Sequence, residues 1–158
     1  DMFLSVNLSA IHFSQDSLLS FLEEALEFFD LPASTLKLEV TESTLIKNPE
    51  QVIERMRLLA KLGVTLALDD FGTGYSSLNY LKKLPLDVLK IDRSFISGIG
   101  IDSADEAIVE ATLVLANNLC MNCIAEGVET QEQLAYLAKK QCYLIQGYLY
   151  VNLMLSEI

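Results

Sequence analysis

The apolar positions change period repeatedly along this chain. Residues 3–7 (FLSVN) read as a short buried strand. After Ser14, Leu18, Leu19, Phe21, Leu22, Ala25, Leu26 and Phe29 recur at three- and four-residue intervals, the spacing of one helix face. Residues 36–41 form the next strand pattern. Asn48 and Pro49 then supply an N-cap and a first-turn proline for a helix that buries Val52, Ile53, Met56 and Leu59 before Gly63 ends it. Residues 65–70 (TLALDD) and 88–92 are further strands. Ser103 and Glu106 have capping-box spacing at a helix start, residues 122–126 follow as a strand, and Thr130 with Gln133 repeats the capping-box spacing before a last strand over 144–148.

Strand and helix alternating in this way imply right-handed βαβ units and a parallel sheet. There is no low-complexity stretch and the prolines are scattered, so no linker divides the chain. Polar residues recur at one place: Asn7, Glu39, Asp69 with Asp70, Lys90 with Asp92, Glu126 and Gln146 each lie at or near the C-terminal end of a different strand. On a parallel sheet those ends share an edge, and in a β/α barrel that edge builds the active site. At any one position, a polar residue where the strand leaves the core explains the pattern equally well. Its recurrence at the same end of each strand, with carboxylates inside otherwise apolar runs, is what points to a site.

Composition narrows the classes. With 51% hydrophobic and 21% charged residues in 158, the chain has ample apolar surface to offset its conformational entropy, which excludes disorder. Acidic residues number 22 against 11 basic, a formal charge of −11 that argues against an unaided partner in DNA, RNA or an anionic membrane. No apolar run approaches the ~18 to 20 residues that a membrane span requires, so membrane insertion is not expected. Three cysteines, an odd number in apolar surroundings, suit reduced thiols and a cytoplasmic location. Cys120 and Cys123 form a lone C-x-x-C at a helix-to-strand junction, which reads as core packing ahead of redox or metal use. The single histidine, His12, reads as a surface or loop residue.

The strand-end set is chemically uniform. Asn7, Glu39, Asp69, Asp70, Asp92 and Glu126 offer oxygen, which suits Mg²⁺, Mn²⁺ or Ca²⁺ and leaves zinc a poor fit. Adjacent carboxylates such as Asp69 and Asp70 repel each other in a shared cleft unless cations lie between them. Two metal ions would relieve that repulsion and clamp the oxygens of a phosphoryl displacement, with Lys90 adding a fixed positive charge. The segment Phe71-Gly72-Thr73-Gly74-Tyr75-Ser76-Ser77 is by itself an ordinary βα connection with two glycines. Directly after paired aspartates it reads as a mobile active-site loop.

These segments are similar to a known family. Ser5-Val6-Asn7-Leu8-Ser9, Leu38-Glu39-Val40-Thr41-Glu42, Asp69 through Ser77, Lys90-Ile91-Asp92, Ala125-Glu126-Gly127-Val128-Glu129-Thr130 and Gln146-Gly147-Tyr148 resemble, in order and spacing, the EAL family of bacterial cyclic di-GMP phosphodiesterases. The resemblance runs over nearly the whole chain. It implies an α/β fold, a (β/α)8 TIM-like barrel of the EAL type, here incomplete with about six strands and the N-terminal strands missing, so that residues 1–158 are the C-terminal two-thirds of the barrel. It further implies that Asn7, Glu39 and Asp69 bind one divalent cation, and that Asp69 is shared with a second near Asp70, Asp92 and Glu126. Lys90 and Glu126 would position and activate the attacking water, with Gln146 and Glu129 close to water and substrate. Glu42 would anchor the loop carrying Gly72, Thr73 and Gly74. The implied reaction is hydrolysis of cyclic di-GMP to the linear dinucleotide with Mg²⁺ or Mn²⁺, in second-messenger signalling. The alternative is a non-catalytic domain that serves as a cyclic di-GMP receptor or protein-interaction module. Family members often act as dimers, fused to sensory or cyclase domains and in some cases membrane-tethered.

Departures from the family pattern are local. The family's metal-binding Glu-Ala-Leu motif lies upstream of the Asn7 strand, where this chain has six residues. Glu24-Ala25-Leu26 sits in a helix after Asn7, with Glu24 on its solvent side, and is not that motif. A closed barrel takes ~250 residues, so the chain is expected to be a fragment with open strand edges and little activity of its own. Ile11 and His12 replace a common Arg-Gln, Gln141 and Tyr143 a usual Gly and Asp, and Val151-Asn152-Leu153 a small-basic-proline run.

Overall fold

The computed structural model describes residues 3–45, 49–74 and 78–149. They form two compact units: the chain up to Asp69 together with Gly74–Val88, and Asp70–Thr73 together with the chain from Leu89 onward. Strands follow sequence order in each, β1-β2-β3 in the first and β4-β5-β6 in the second.

The first unit contains β1 (Leu4–Asn7), α1 (Ala10–Ser14), α2 (Leu18–Phe28), a 3-10 turn (Ala33–Thr35), β2 (Leu36–Thr41), α3 (Glu42–Leu45), α4 (Pro49–Leu62), β3 (Thr65–Phe71) and α5 (Leu78–Leu81). β1 pairs parallel with β2 from Leu4↔Leu36 to Asn7↔Glu39, and β2 with β3 from Lys37↔Thr65 to Thr41↔Asp69. Glu39 therefore stands between Asn7 and Ala67, and Asp69, two residues beyond Ala67, projects from the same face of the sheet. Leu38, Val40, Leu66 and Leu68 are buried almost completely, as are Met56 and Leu59 of α4. β1 is exposed along its whole length.

The second unit contains β4 (Val88–Ile91), α6 (Arg93–Ser97), α7 (Ser103–Asn118), β5 (Asn122–Glu126), α8 (Gln131–Lys139) and β6 (Leu144–Gln146). β5 and β6 pair parallel through Ile124↔Leu144, Ala125↔Ile145 and Glu126↔Gln146. Ile91, Ile96, Val109, Ala125, Val128 and Leu137 are the centre of its core.

Several local expectations are corrected. The N-cap of α7 is Asp102, not Ser103: the Asp102 carboxylate accepts the Ala104 amide at 2.8 Å, while Glu106 accepts the Gly100 amide at 2.9 Å, so Ser103 opens the helix. Asp92 caps α6, which ends β4 one residue early, and β6 stops at Gln146. Phe21 and Phe29 are exposed although they share the α2 spacing, and Cys120 is exposed instead of packed. The Thr130–Gln133 capping box is present in full. Asn48, Tyr75, Ser76, Ser77 and Val151-Asn152-Leu153 lie outside the described residues.

Candidate active site

In the first unit, Asn7, Glu39 and Asp69 occupy the C-terminal ends of three adjacent strands. Asn7 is exposed and Asp69 half-buried, while Glu39 is buried and accepts a hydrogen bond from the Ser5 hydroxyl. Ser5 lies two residues before Asn7 on β1 and so shares its face, a signal the motif reading passed over. Glu42 begins α3, is buried, and its Oε2 accepts the Gly74 amide at 3.1 Å.

In the second unit, Asp70 adopts a left-handed backbone, φ 54°. Consecutive residues of a regular strand alternate faces, and this conformation breaks the alternation just where two aspartates are adjacent. An Asp70 carboxylate oxygen lies within 4.8 Å of one on Glu126. Glu126 ends β5, and its Oε1 is 2.6 Å from Nζ of Lys90, whose side chain is 3% exposed in the middle of β4. Asp92 follows that strand and turns its carboxylate to the Ser94 amide at 2.9 Å and to the Ser94 hydroxyl. Partial burial pushes the Asp92 carboxyl upward, but hydrogen bonds from the Ser94 hydroxyl and amide and from the Arg93 amide outweigh it and hold the group below its ordinary value.

Residues 72–74, the described part of the loop after β3, make short contacts. The Thr73 hydroxyl donates to the Asp70 carbonyl at 2.8 Å. Gly72 has φ +97°, and a Cβ there would stand 2.9 Å from the Phe95 ring, so both conformation and space call for glycine. Glu129 and Gln146 are exposed. The Glu129 and Thr130 amides donate to Oε1 of Gln133, whose Nε2 donates to the Ile96 carbonyl at 3.2 Å. Ser94, Phe95 and Gln133 thus support the site residues, and of these only Gln133 carried a sequence signal, as part of a helix cap.

The donor set fits a divalent cation. Asp70 and Glu126 bring hard carboxylate oxygens within 4.8 Å of each other in one unit, and Lys90 offsets one of their charges. Asn7, Glu39 and Asp69 supply a second oxygen set in the other unit.

Residues 1–152 match the family model described as the EAL domain. The chain is 48% identical over 147 residues to the cyclic di-GMP phosphodiesterase NbdA of Pseudomonas aeruginosa, covering 93% of this chain and 19% of that protein. It therefore spans about a fifth of that relative's length. The solved structure named PaMucR phosphodiesterase, c-di-GMP complex, superposes with a TM-score of 0.90 at 44% identity, covering 93% of this chain and 60% of that one. Klebsiella pneumoniae BlrP1 in its manganese and cyclic di-GMP complex superposes with a TM-score of 0.85 at 31% identity, over 93% of this chain and 38% of that one. No helix among the described residues is long and apolar enough to cross a membrane. By the span of the family match and the fold it shares with these structures, the chain belongs to the EAL domain family.

Proposed function

We propose that this chain is part of a larger EAL domain that hydrolyses one phosphodiester of cyclic di-GMP, giving the linear dinucleotide, within a longer bacterial signalling protein. The observation that carries this reading is the buried Lys90 held 2.6 Å from Glu126, with the Asp70 carboxylate beside it. A lysine so placed orients the Glu126 carboxylate, and a carboxylate at a strand end can take a proton from water. Asn7, Glu39 and Asp69 are the residues proposed to hold one divalent cation, and Asp70, Asp92 and Glu126 a second, Mg²⁺ or Mn²⁺. When bound, such ions lower the pKa of water and neutralise phosphate charge. Ser5 and Ser94 hold two of these carboxylates in orientation, and Glu42 ties Gly74 to the start of α3. Gln146, opposite Glu126 in the strand register, and Glu129, both exposed, are proposed to meet substrate or water. The exposed β1 and the mostly exposed β6 are surfaces that further strands of the domain would cover. The working location is the cytoplasm, with dimerisation and fused sensory or cyclase domains as in the family.

The test uses the protein containing this domain with cyclic di-GMP and Mn²⁺, reading formation of the linear dinucleotide. Glu126→Gln is expected to lower turnover by about two to four orders of magnitude while nucleotide binding persists. Turnover retained in that variant removes Glu126 from the reaction, and binding without turnover in the unaltered protein assigns the domain as a receptor.

A further inference from the structure

At the opposite end of β5 from Glu126 lies a second chemical feature. Cys123 is the second residue of β5, and Cys142 sits in the turn before β6. Cys142 is buried, and its Sγ lies 3.8 Å from the carbonyl oxygens of Cys123 and of Leu144. A cavity of about 380 Å³ opens against the pair, lined by both cysteines with Met121, Leu113 and Lys140. The sequence spacing suggests Cys120 as the partner of Cys123. The fold instead turns Cys120 to solvent at a left-handed residue, φ 58°, and brings Cys142 to Cys123.

We propose that Cys123 and Cys142 form a modification site for a peroxide-class oxidant, which converts the pair to a disulfide. The cavity gives a molecule of that size access to thiols that the surface otherwise covers. The two sulfurs differ in character. The hydrogen bond from Cys123 draws the Cys142 thiol below its ordinary value, with the Ala125 and Leu144 amides adding to it against burial. The same hydrogen bond, together with burial, pushes Cys123 up. Cys142, which lines the cavity beside Cys123, is assigned the first attack on peroxide and Cys123 the resolving step.

The chemistry balances. Cys142 sulfur attacks one peroxide oxygen, the O–O bond breaks, and the departing oxygen leaves as water with the proton that Cys142 gave up. The resulting sulfenic acid is attacked by Cys123 sulfur, the S–O bond breaks, and a second water leaves with the Cys123 proton. Two thiols and hydrogen peroxide become one disulfide and two waters, and a dithiol reductant reverses the change. The cross-link ties the start of β5 to the start of β6 about 10 Å of extended chain from Glu126, and so acts on the pair of strands that carries Glu126 and Gln146.

The test treats the folded chain with hydrogen peroxide, counts free thiols and maps the peptides. The expected result is loss of two of the three free thiols, a Cys123–Cys142 linked peptide, and Cys120 still alkylatable. Cys123→Ser is expected to stop the reaction at a Cys142 sulfenic acid that dimedone traps, and Cys120→Ser to behave as the unaltered chain. Oxidation confined to Cys120, or no trapped sulfenic acid in folded Cys123→Ser, overturns the proposal.

Discussion

The ion pair between Lys90 and Glu126 is the most consequential contact in the second unit, and its weight can be measured directly. The side chains are 3% and 17% exposed and meet at 2.6 Å. At an effective dielectric of about 20, opposite charges at that separation attract by about 6 kcal/mol, much of which offsets their desolvation. Removing either partner alone breaks a buried ion pair, at about 3 to 5 kcal/mol. The two losses are unequal: Lys90→Met takes an ammonium away from Glu126, which has the Asp70 carboxylate beside it, whereas Glu126→Gln leaves an amide oxygen that still accepts from the ammonium. Lys90→Met is therefore expected to cost more. The double variant is expected to cost less than the sum of the singles by about 3 kcal/mol. Urea unfolding followed by circular dichroism, with chelator present throughout, measures all three. Single losses below about 1 kcal/mol with coupling below about 0.5 kcal/mol would show that solvent screens the pair, and would refute the reasoning.

Three further outcomes are expected. In Gly147→Ala the new Cβ would lie 2.3 Å from the Val128 carbonyl oxygen, within the turn held by the Val128-to-Gln146 and Leu149-to-Val128 hydrogen bonds. The backbone must move, costing about 3 kcal/mol, which thermal unfolding reads as a fall of roughly 6 to 12 °C; an unchanged midpoint contradicts the close approach. Glu42→Ala removes the acceptor for the Gly74 amide, worth about 1.5 to 3 kcal/mol as a bond to a charged group. Amide exchange at Gly74 should accelerate about ten- to a hundredfold, and unaltered exchange would mean the loop is held by other contacts. Tyr136 is pushed up from 10.0 to about 12, first by partial burial and then by its 3.0 Å hydrogen bond to Glu110. Its folded value exceeds the unfolded one, so its contribution to stability is complete below pH 10 and fades as pH rises toward 12. Ultraviolet titration should show this tyrosine ionising late, and Glu110→Gln should bring it earlier; no movement in that variant removes the carboxylate as a cause.

The strands were legible because each is a short apolar run that closes on a polar residue. The boundaries of β2 and β5 were read correctly for that reason. The short helices α1, α3, α5 and α6 were not read, since four or five residues hold too little periodicity to register. Ser103 was mistaken for a cap because Asp102 and Ser103 are both good capping residues, and only the hydrogen bond to Ala104 separates them. Side chains on different strands come together through register, which spacing does not carry. For that reason Lys90 and Glu126 were brought together only through the family resemblance, without their ion pair, and Cys123 was grouped with its sequence neighbour instead of Cys142.

The central claim is that strand-end carboxylates hold a divalent cation for phosphodiester hydrolysis. It is tested most directly by titrating the chain with Mn²⁺ by calorimetry and repeating the titration with Asp70→Asn, a change that preserves shape and removes one charge. The account predicts saturable binding to the unaltered chain, weakened by about tenfold or more in the variant. Saturable binding that Asp70→Asn leaves untouched, or no binding to either chain, would contradict it.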